Sequence, residues 1–204
     1  MSSGQDSLMT AVDGQPLWPE SLRILEYLHS RAAGMNAADL RARVRAAADE
    51  LERAVSDVAD ADARARPVPG KWTMAEVVDH MAQSTIRAAD ELRHLLAGRR
   101  PPGPPIYEAL RSGAPAWAPW SELVDGLRAA NGEVDAVLAG AADELASTAA
   151  ARAILIGTRA STDGAAATQA FVAELSWKEY TLVQRLHLLE HRAQVRKLRE
   201  ALGH

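Results

Sequence analysis

A long break rich in proline divides this chain between two strongly helical stretches. Six prolines lie between Gly98 and Trp120, at positions 101, 102, 104, 105, 115 and 119. Proline fixes φ and lacks an amide hydrogen, so this segment cannot continue either flanking helix. Loops of this length are uncommon in compact domains and are usually functional or required by the topology. In a helical bundle, such a crossover lets the next helix run parallel to the previous one.

Composition favours helices on both sides of this break. Alanine supplies about a fifth of the 204 residues, whereas aromatic residues make up 4%. Alanine is the best helix former, and strands prefer the β-branched and aromatic residues that are scarce here. These proportions exclude an all-β fold. Apolar residues at 48% and charged residues at 25% are typical of an ordinary globular protein with one core.

Start signals and apolar periodicity predict one short helix and four long ones. Thr73–Glu76 and Ser176–Glu179 are capping boxes, in which a hydroxyl and a carboxylate satisfy two free amide groups reciprocally. Asn36 offers an N-cap for another helix. The segment 149–170 lacks helical periodicity and is expected to hold at most a short strand or an irregular stretch around 154–156. The predicted helices are 17–33, 36–58, 74–96, 121–145 and 176–202.

These elements predict an all-α protein whose main body is a four-helix bundle. The proline-rich crossover joins the second and third long helices, so that those two can run parallel. We expect residues 1–35 to form an N-terminal extension with one short helix, and residues 36–204 to form the bundle domain.

Charge and cysteine content exclude several classes of function. A net charge of −4 leaves no basic surface of the kind that nucleic acids require. The chain has no cysteine, which excludes disulfides, cysteine-ligated zinc and thiol nucleophiles. Residues 1–14 do not resemble a secretory signal, and no apolar stretch is long enough to span a bilayer. We therefore expect a soluble cytoplasmic protein that binds neither nucleic acid nor membrane.

The most informative motif is a pair of histidines four residues apart in the last helix, His187 and His191. Such a pair stacks on one helix face about 6 Å apart, close enough to share one metal ion. His187 lies nearly opposite a stripe of cations that we expect to face solvent. Buried polar groups need partners, which here are mutual hydrogen bonds, buried water or a metal. The stripe consists of Lys178, Arg185, Arg192 and Arg199.

A metal needs at least a third ligand, and His80 is the best candidate in the chain. It lies two turns inside the helix over 74–96, beside core positions, whereas the remaining histidines are expected at the surface. Ligands from two facing helices are how bundles build metal sites in their cores. The alternative is that His80, His187 and His191 are each satisfied core or rim residues, but three buried imidazoles are rare. The three surface histidines are His29, His94 and His204.

Two segments resemble motifs of the DinB/YfiT-like superfamily. Residues 71–80 resemble its "W-S/T-x-x-E-hydrophobic-x-x-H" segment, and residues 187–194 resemble its closing "H-x-x-x-H-R-x-Q" helix. The resemblance covers roughly residues 36–202 and implies a four-helix bundle of up-down-down-up topology. It also implies a divalent metal, zinc or nickel, held by His80, His187 and His191. The leading helix and the segment 149–170 do not match.

The resemblance further implies a metal-dependent enzyme. Superfamily members include thiol-dependent S-transferases and isomerases that use mycothiol or bacillithiol, and metal-dependent hydrolases. Three neutral imidazoles leave an open position for water or a thiolate, as catalytic sites do. We expect a mycothiol-type S-transferase that acts on a small molecule with a low-molecular-weight thiol. A metal-dependent hydrolase and a non-catalytic metal- or ligand-binding bundle are the alternatives.

Three side chains near the predicted ligands are candidates for a supporting role. Gln194, one turn beyond His191, is placed to orient a bound water or ligand. Glu190 lies between the two ligands of the last helix and is a candidate acceptor for an imidazole N–H. Glu76 precedes His80 by one turn, although its capping box already accounts for it. We expect Trp72 to pack at the bundle end, and exposed Leu and Val on the third long helix to permit a homodimer.

Overall fold

The computed structural model describes residues 11–143, 148–160 and 166–204. Helices dominate it, as predicted, and a two-stranded hairpin is added to them. In the described ranges, no helix combines the length and the apolar character that crossing a membrane requires. The elements are α1 (Pro19–Ala33), α2 (Ala37–Val55), α3 (Asp60–Arg64), α4 (Met74–Leu96), α5 (Trp120–Ala139), β1 (Ala151–Ala160), β2 (Ala166–Leu175) and α6 (Trp177–Leu202).

Three of the long helices begin at the caps that the sequence predicts. At α4, the Thr73 hydroxyl accepts from the Glu76 amide at 3.1 Å, and the Glu76 carboxylate accepts from the Thr73 amide at 2.7 Å. Ser176 and Glu179 make the same reciprocal pair at α6. Asn36 caps α2 by accepting from the Asp39 amide. These contacts satisfy amides that the first turn of a helix leaves free, which fixes where each helix begins.

Ion pairs show which of the four long helices run in the same direction. Two ion pairs join the α2 region to α6, Glu50 with Arg192 and Asp57 with Arg199, and the partners follow the same order along both segments. The C-terminal turn of α4 likewise pairs with the C-terminal half of α5, through Arg93 and Glu133. The parallel pairs are therefore α2 with α6 and α4 with α5.

The helices of one parallel pair are antiparallel to those of the other pair. Thr85 of α4 bonds to Gln184 of α6, while His80, earlier in α4, lies near His191, later in α6. Because α2 contacts α5 and α6, and α4 contacts the same two helices, the four form a closed ring. The topology is up-down-down-up, with the proline-rich crossover joining the two parallel helices α4 and α5.

The core lies along the axis of this ring. Each of the four helices contributes a leucine or methionine that is fully buried: Leu51, Met81, Leu127 and Leu188. Burying a side chain of this size stabilises the folded state by about 1.5–3 kcal/mol. Five leucines and valines of α5 are buried in this core and Val137 is partly buried against it, so none of them is exposed as the sequence predicts. The five are Leu123, Val124, Leu127, Val134 and Leu138. The homodimer itself stays a prediction.

The segment 149–170 corrects the sequence prediction most clearly. Instead of a short strand near 154–156, β1 and β2 form an antiparallel hairpin with ten pairs, from Ala151 opposite Leu175 to Ala160 opposite Ala166. One face of the hairpin packs on the protein and buries Phe171 completely, whereas Ile156 remains 60% exposed. The alternation is that of a half-buried sheet.

Helix α1 packs directly on this hairpin, so this helix is tied to the rest of the chain. Gln169 of β2 is buried and accepts from the Trp18 amide at 2.8 Å and from the Ser21 hydroxyl at 3.0 Å. Opposite Gln169, Gly157 of β1 leaves room for Ser21, because a Cβ at that position would collide with it. The close approach of helix and strand therefore depends on a glycine.

Two helix ends and one helix face also differ from prediction. α2 ends at Val55 rather than at residue 58. α5 ends at Ala139, so the prediction that this helix continues to residue 145 is wrong for residues 140–143. Residues 144 and 145 lie outside the described ranges. The cationic stripe of α6 does not face open solvent. Its members are partly buried along α2, where Lys178 donates to the Met35 carbonyl and Arg199 to the Ala54 carbonyl.

Candidate metal centre

Antiparallel α4 and α6 bring three histidines together inside the bundle. His80 lies two turns into α4, and His187 and His191 lie on successive turns of α6. The Nε2 atom of His187 is 3.2 Å from Nε2 of His80 and 2.9 Å from Nε2 of His191. Across the described residues, no other set of three or more His, Cys, Asp or Glu side chains is arranged to hold a metal ion.

Hydrogen bonds at the outer nitrogens fix the orientation of two of these rings. His80 Nδ1 lies 2.8 Å from the Leu110 carbonyl oxygen, which only accepts, so Nδ1 carries the proton. His191 Nδ1 lies 2.8 Å from Oε1 of Gln194 and donates to it in the same way. Both Nε2 atoms are then unprotonated and present lone pairs to His187. Metal-bound histidines are commonly oriented by such outer partners.

The cluster is a poor arrangement for neutral imidazoles alone and a good one for a cation. Nε2 of His187 faces two acceptor nitrogens but can carry one proton at most. In at least one of the two contacts, therefore, two nitrogen lone pairs face each other with no proton between them. A tetrahedral zinc ion with Zn–N distances of about 2.0–2.1 Å places its nitrogens roughly 3.3 Å apart, close to the spacing seen here. The three residues fit a divalent metal.

Burial keeps these imidazoles neutral, which is the form that binds metal. Desolvation, with a smaller contribution from the neighbouring histidines, lowers the pKa of His187 to about 3. The same causes lower the pKa of His191 to about 4. Burial also lowers the pKa of His80. Because all three shifts disfavour the imidazolium form, protons compete weakly with a metal near neutral pH.

Trp72 forms a wall of the site, whereas the sequence predicts that it packs at the end of the bundle. Its ring centroid is 5.0 Å from the His80 ring, edge to face, and 6.4 Å from the His191 ring, nearly parallel. Arg111 covers the indole at 5.4 Å. A tryptophan just before a capping box carries no sequence signal for this contact, which depends on how α4 meets α6.

The proline-rich crossover reaches the site and is anchored there. Asp79, 2% exposed, accepts from the Ser112 amide at 2.8 Å and from the Ser112 hydroxyl at 2.6 Å. Leu110, two residues earlier, supplies the carbonyl that binds His80. The crossover therefore supports the candidate metal centre as well as the topology. Neither Asp79 nor Leu110 was a candidate from sequence. Leu110 acts through its backbone carbonyl, which has no side-chain signature.

The three supporting candidates have different outcomes in the structure. Gln194 holds His191, as a supporting residue would. Glu190 is exposed, and in the described part of the chain no hydrogen bond joins it to an imidazole, so the expected N–H acceptor role is absent. Glu76 binds the Thr73 amide and the Arg66 guanidinium rather than an imidazole. Its contacts are those of the helix cap.

The other histidines lie apart from the centre. His29 is exposed and lies near Glu179, and His204 pairs with Asp62 at the end of α6. His94 is partly exposed in the last turn of α4. None of the three is a member of the histidine cluster.

A cavity of about 190 Å³ opens along the seam between α2 and α5. Its floor is formed by Thr85, Gln184 and Leu188, and none of the three clustered histidines lines it. It is therefore separate from the candidate metal centre, which lies against Trp72 and the crossover.

Comparison with known proteins agrees with this architecture. Searches of curated proteins and of solved structures find no match to the chain. A family model described as the DinB superfamily matches residues 43–195, which include the four bundle helices in whole or in large part and all three clustered histidines. The chain belongs to the DinB superfamily.

Proposed function

We propose that this protein is a metal-dependent S-transferase that uses a low-molecular-weight thiol of the mycothiol type. His80, His187 and His191 would hold zinc or nickel and leave at least one position open. The observation that carries the proposal is the convergence of three imidazole Nε2 atoms in one buried cluster, with those of His80 and His191 unprotonated. The matched family is metal-binding, which supports the same assignment.

The surroundings of the cluster favour thiol transfer over hydrolysis. A bound divalent metal lowers the pKa of a coordinated thiol or water. Activation of water is usually assisted by a carboxylate or histidine base within hydrogen-bond reach. Among the described residues, no hydrogen bond joins Glu190 or Glu76 to an imidazole, and Asp79 accepts from Ser112. A thiol is acidic enough to react without such a base, so the arrangement suits a thiol better than water.

The proposed reaction assigns a role to each residue around the site. Leu110 and Gln194 hold two imidazoles with Nε2 inward, and Trp72 shields the cluster from water. The thiol sulfur forms a bond to an electrophilic carbon of the second substrate while the bond from that carbon to its leaving group breaks. The thiol proton departs with the leaving group. Low-molecular-weight thiols are kept reduced in the cytoplasm, which is where we propose that the reaction takes place.

Turnover with a thiol and an electrophile tests the proposal. Protein loaded with zinc or nickel is mixed with mycothiol and 1-chloro-2,4-dinitrobenzene, and formation of the thioether is followed by absorbance. We expect metal-dependent turnover that is lost in His187→Ala and retained in His29→Ala, because His29 is an exposed histidine outside the cluster.

Three outcomes would contradict the proposal. Equal turnover in His187→Ala and wild type would remove the cluster from the reaction. Metal-dependent hydrolysis of an activated ester without any thiol, combined with no thioether formation, would favour the hydrolase. Stoichiometric metal without either activity would favour a binding bundle.

A further inference from the structure

Arg111 occupies a defined position at the rim of the metal centre. Its guanidinium lies over the face of Trp72, 5.4 Å from the ring centroid. That indole in turn contacts the rings of His80 and His191. A cation over an aromatic face is held by the ring quadrupole while its N–H groups remain free to bind other groups. The Trp72 ring thus places one positive charge beside two candidate ligands.

The backbone on both sides of Arg111 is tied to α4. Leu110, immediately before it, accepts from His80, and Ser112, immediately after it, donates twice to the buried carboxylate of Asp79. A side chain between two anchored neighbours starts from a fixed point, so less conformational entropy is lost when it binds a ligand. Arg111 is preorganised by both its backbone and its aromatic platform.

No carboxylate of the described residues lies within ion-pair distance of this cation. Within the described ranges, arginines from α2, α4, α5 and α6 form ion pairs, but Arg111 is in none of them. It is exposed, so an incoming molecule can reach it. An arginine that is fixed, accessible and unpaired next to a reactive site is suited to bind a carboxylate, sulfonate or phosphate through its fork of N–H groups.

We propose that Arg111 is a specificity-determining residue that selects anionic substrates for the metal centre. This inference rests on the proposed function, because it concerns the small molecule that reaches the three histidines. The substrate class it names is an organic anion whose charged group lies a few bonds from the atom that reaches the metal. Arg111 binds the charged group and thereby orients the molecule across Trp72.

A matched pair of thiols tests the inference without relying on turnover. Wild-type protein is loaded with Co²⁺ and titrated at low ionic strength with 2-mercaptoethanesulfonate or with 2-mercaptoethanol. The two thiols share their two-carbon chain and differ in the negative charge, and sulfonate is a weak metal ligand. The absorption band of cobalt bound to thiolate gives a dissociation constant for each. We expect the anionic thiol to bind about tenfold more tightly, and raised salt to reduce this preference.

Variants assign the preference to the residue. Arg111→Gln is expected to bring the ratio of the two dissociation constants close to one and to leave that of 2-mercaptoethanol unchanged. Arg43→Gln removes the same charge from an exposed position on α2, so it should retain the wild-type ratio. Cobalt content and the melting temperature of each variant report whether the fold and the centre are intact.

The outcomes separate this inference from the proposed function. If both thiols bind equally well to wild type, or if Arg111→Gln keeps the wild-type preference, Arg111 does not select anions and the inference is overturned alone. If neither thiol changes the cobalt spectrum, the proposed thiol function fails and this inference fails with it.

Discussion

At the scale of single residues, the three imidazoles are held in unequal ways. His80 is fixed by a backbone carbonyl from a distant loop, and His191 by the amide of Gln194 one turn away on its own helix. His187 lies between them and contacts both through the same nitrogen. The orientation of the cluster therefore depends on two outer hydrogen bonds, and loss of either should weaken the centre without removing a ligand.

Gln194→Ala tests this dependence. Without the amide oxygen, the His191 ring can rotate or change tautomer, so we expect metal affinity to fall by about tenfold to a hundredfold. The measurement is a competition titration against a chromophoric chelator. Gln83→Ala, a partly buried glutamine of α4 outside the cluster, is the matched control and should leave the affinity unchanged. Equal affinity in both variants would show that Gln194 does not orient the ligand.

The lowered pKa values predict how many protons metal binding releases. Three histidines with ordinary pKa values near 6.5 would release about two protons at pH 6. Here the pKa of His187 is about 3 and that of His191 about 4, so both are already neutral at pH 6. Fewer than one proton should therefore leave the imidazoles, as calorimetry in buffers of different ionisation enthalpy can measure. Release of about two protons at pH 6 would contradict the burial of the cluster.

The three clustered histidines were predictable from sequence as a group, but much of their environment was not. An i,i+4 histidine pair and a third histidine on the core side of a capped helix leave a pattern in the residue types. Trp72, Asp79 and the Leu110 carbonyl act through tertiary contacts across the crossover, which periodicity cannot detect. Glu190 was a candidate acceptor for an imidazole N–H, but it is exposed. A helical wheel gives the angle of a residue around its own helix but not the positions of the neighbouring helices.

At the scale of elements, capping chemistry was reliable and strand content was not. Both capping boxes are local signals, and each begins the helix that it predicts. The hairpin is made of sequences such as ARAILIGTRA, in which alanine and arginine favour helices and a glycine interrupts the apolar run. Its ten pairs are stabilised by cross-strand contacts and by packing on α1, which propensities do not include.

Gly157→Ala tests the contact between α1 and this hairpin. The added Cβ would meet the Ser21 Cα at 3.3 Å and its hydroxyl closer still, so α1 must shift. We expect the free energy of unfolding to fall by about 1–3 kcal/mol, as measured by urea denaturation. Gly126→Ala is the matched control, since a Cβ there meets nothing within 4 Å on helix α5. That change should stabilise the protein by about 0.5–1 kcal/mol. Equal effects would contradict the close packing.

At the scale of the whole molecule, the candidate metal centre links elements that are distant in sequence. The three histidines come from α4 and α6, and their hydrogen-bond partners come from the crossover and from α6 itself. The division into an extension over 1–35 and a bundle over 36–204 remains a prediction. Within the described part of that extension, α1 packs on α6 and β1.

Because the unfolded chain does not assemble this site, metal binding should stabilise the whole fold. At a free metal concentration a thousand times the dissociation constant, the gain is about 4 kcal/mol. For a chain of this length, this corresponds to a rise in melting temperature on the order of 10 °C. Differential scanning fluorimetry with and without zinc measures it. His29→Ala should show the same rise, and a comparable rise in His187→Ala would contradict the assignment.

The central claim is that one divalent cation is held jointly by histidines from α4 and α6. Elemental analysis of purified wild type beside His80→Ala, both exchanged into the same metal-containing buffer and then desalted, tests it most directly. We predict about one zinc or nickel per wild-type chain and a large loss in the variant, because two imidazoles on one helix bind such ions much more weakly than three. Equal metal content in the two proteins would contradict the claim.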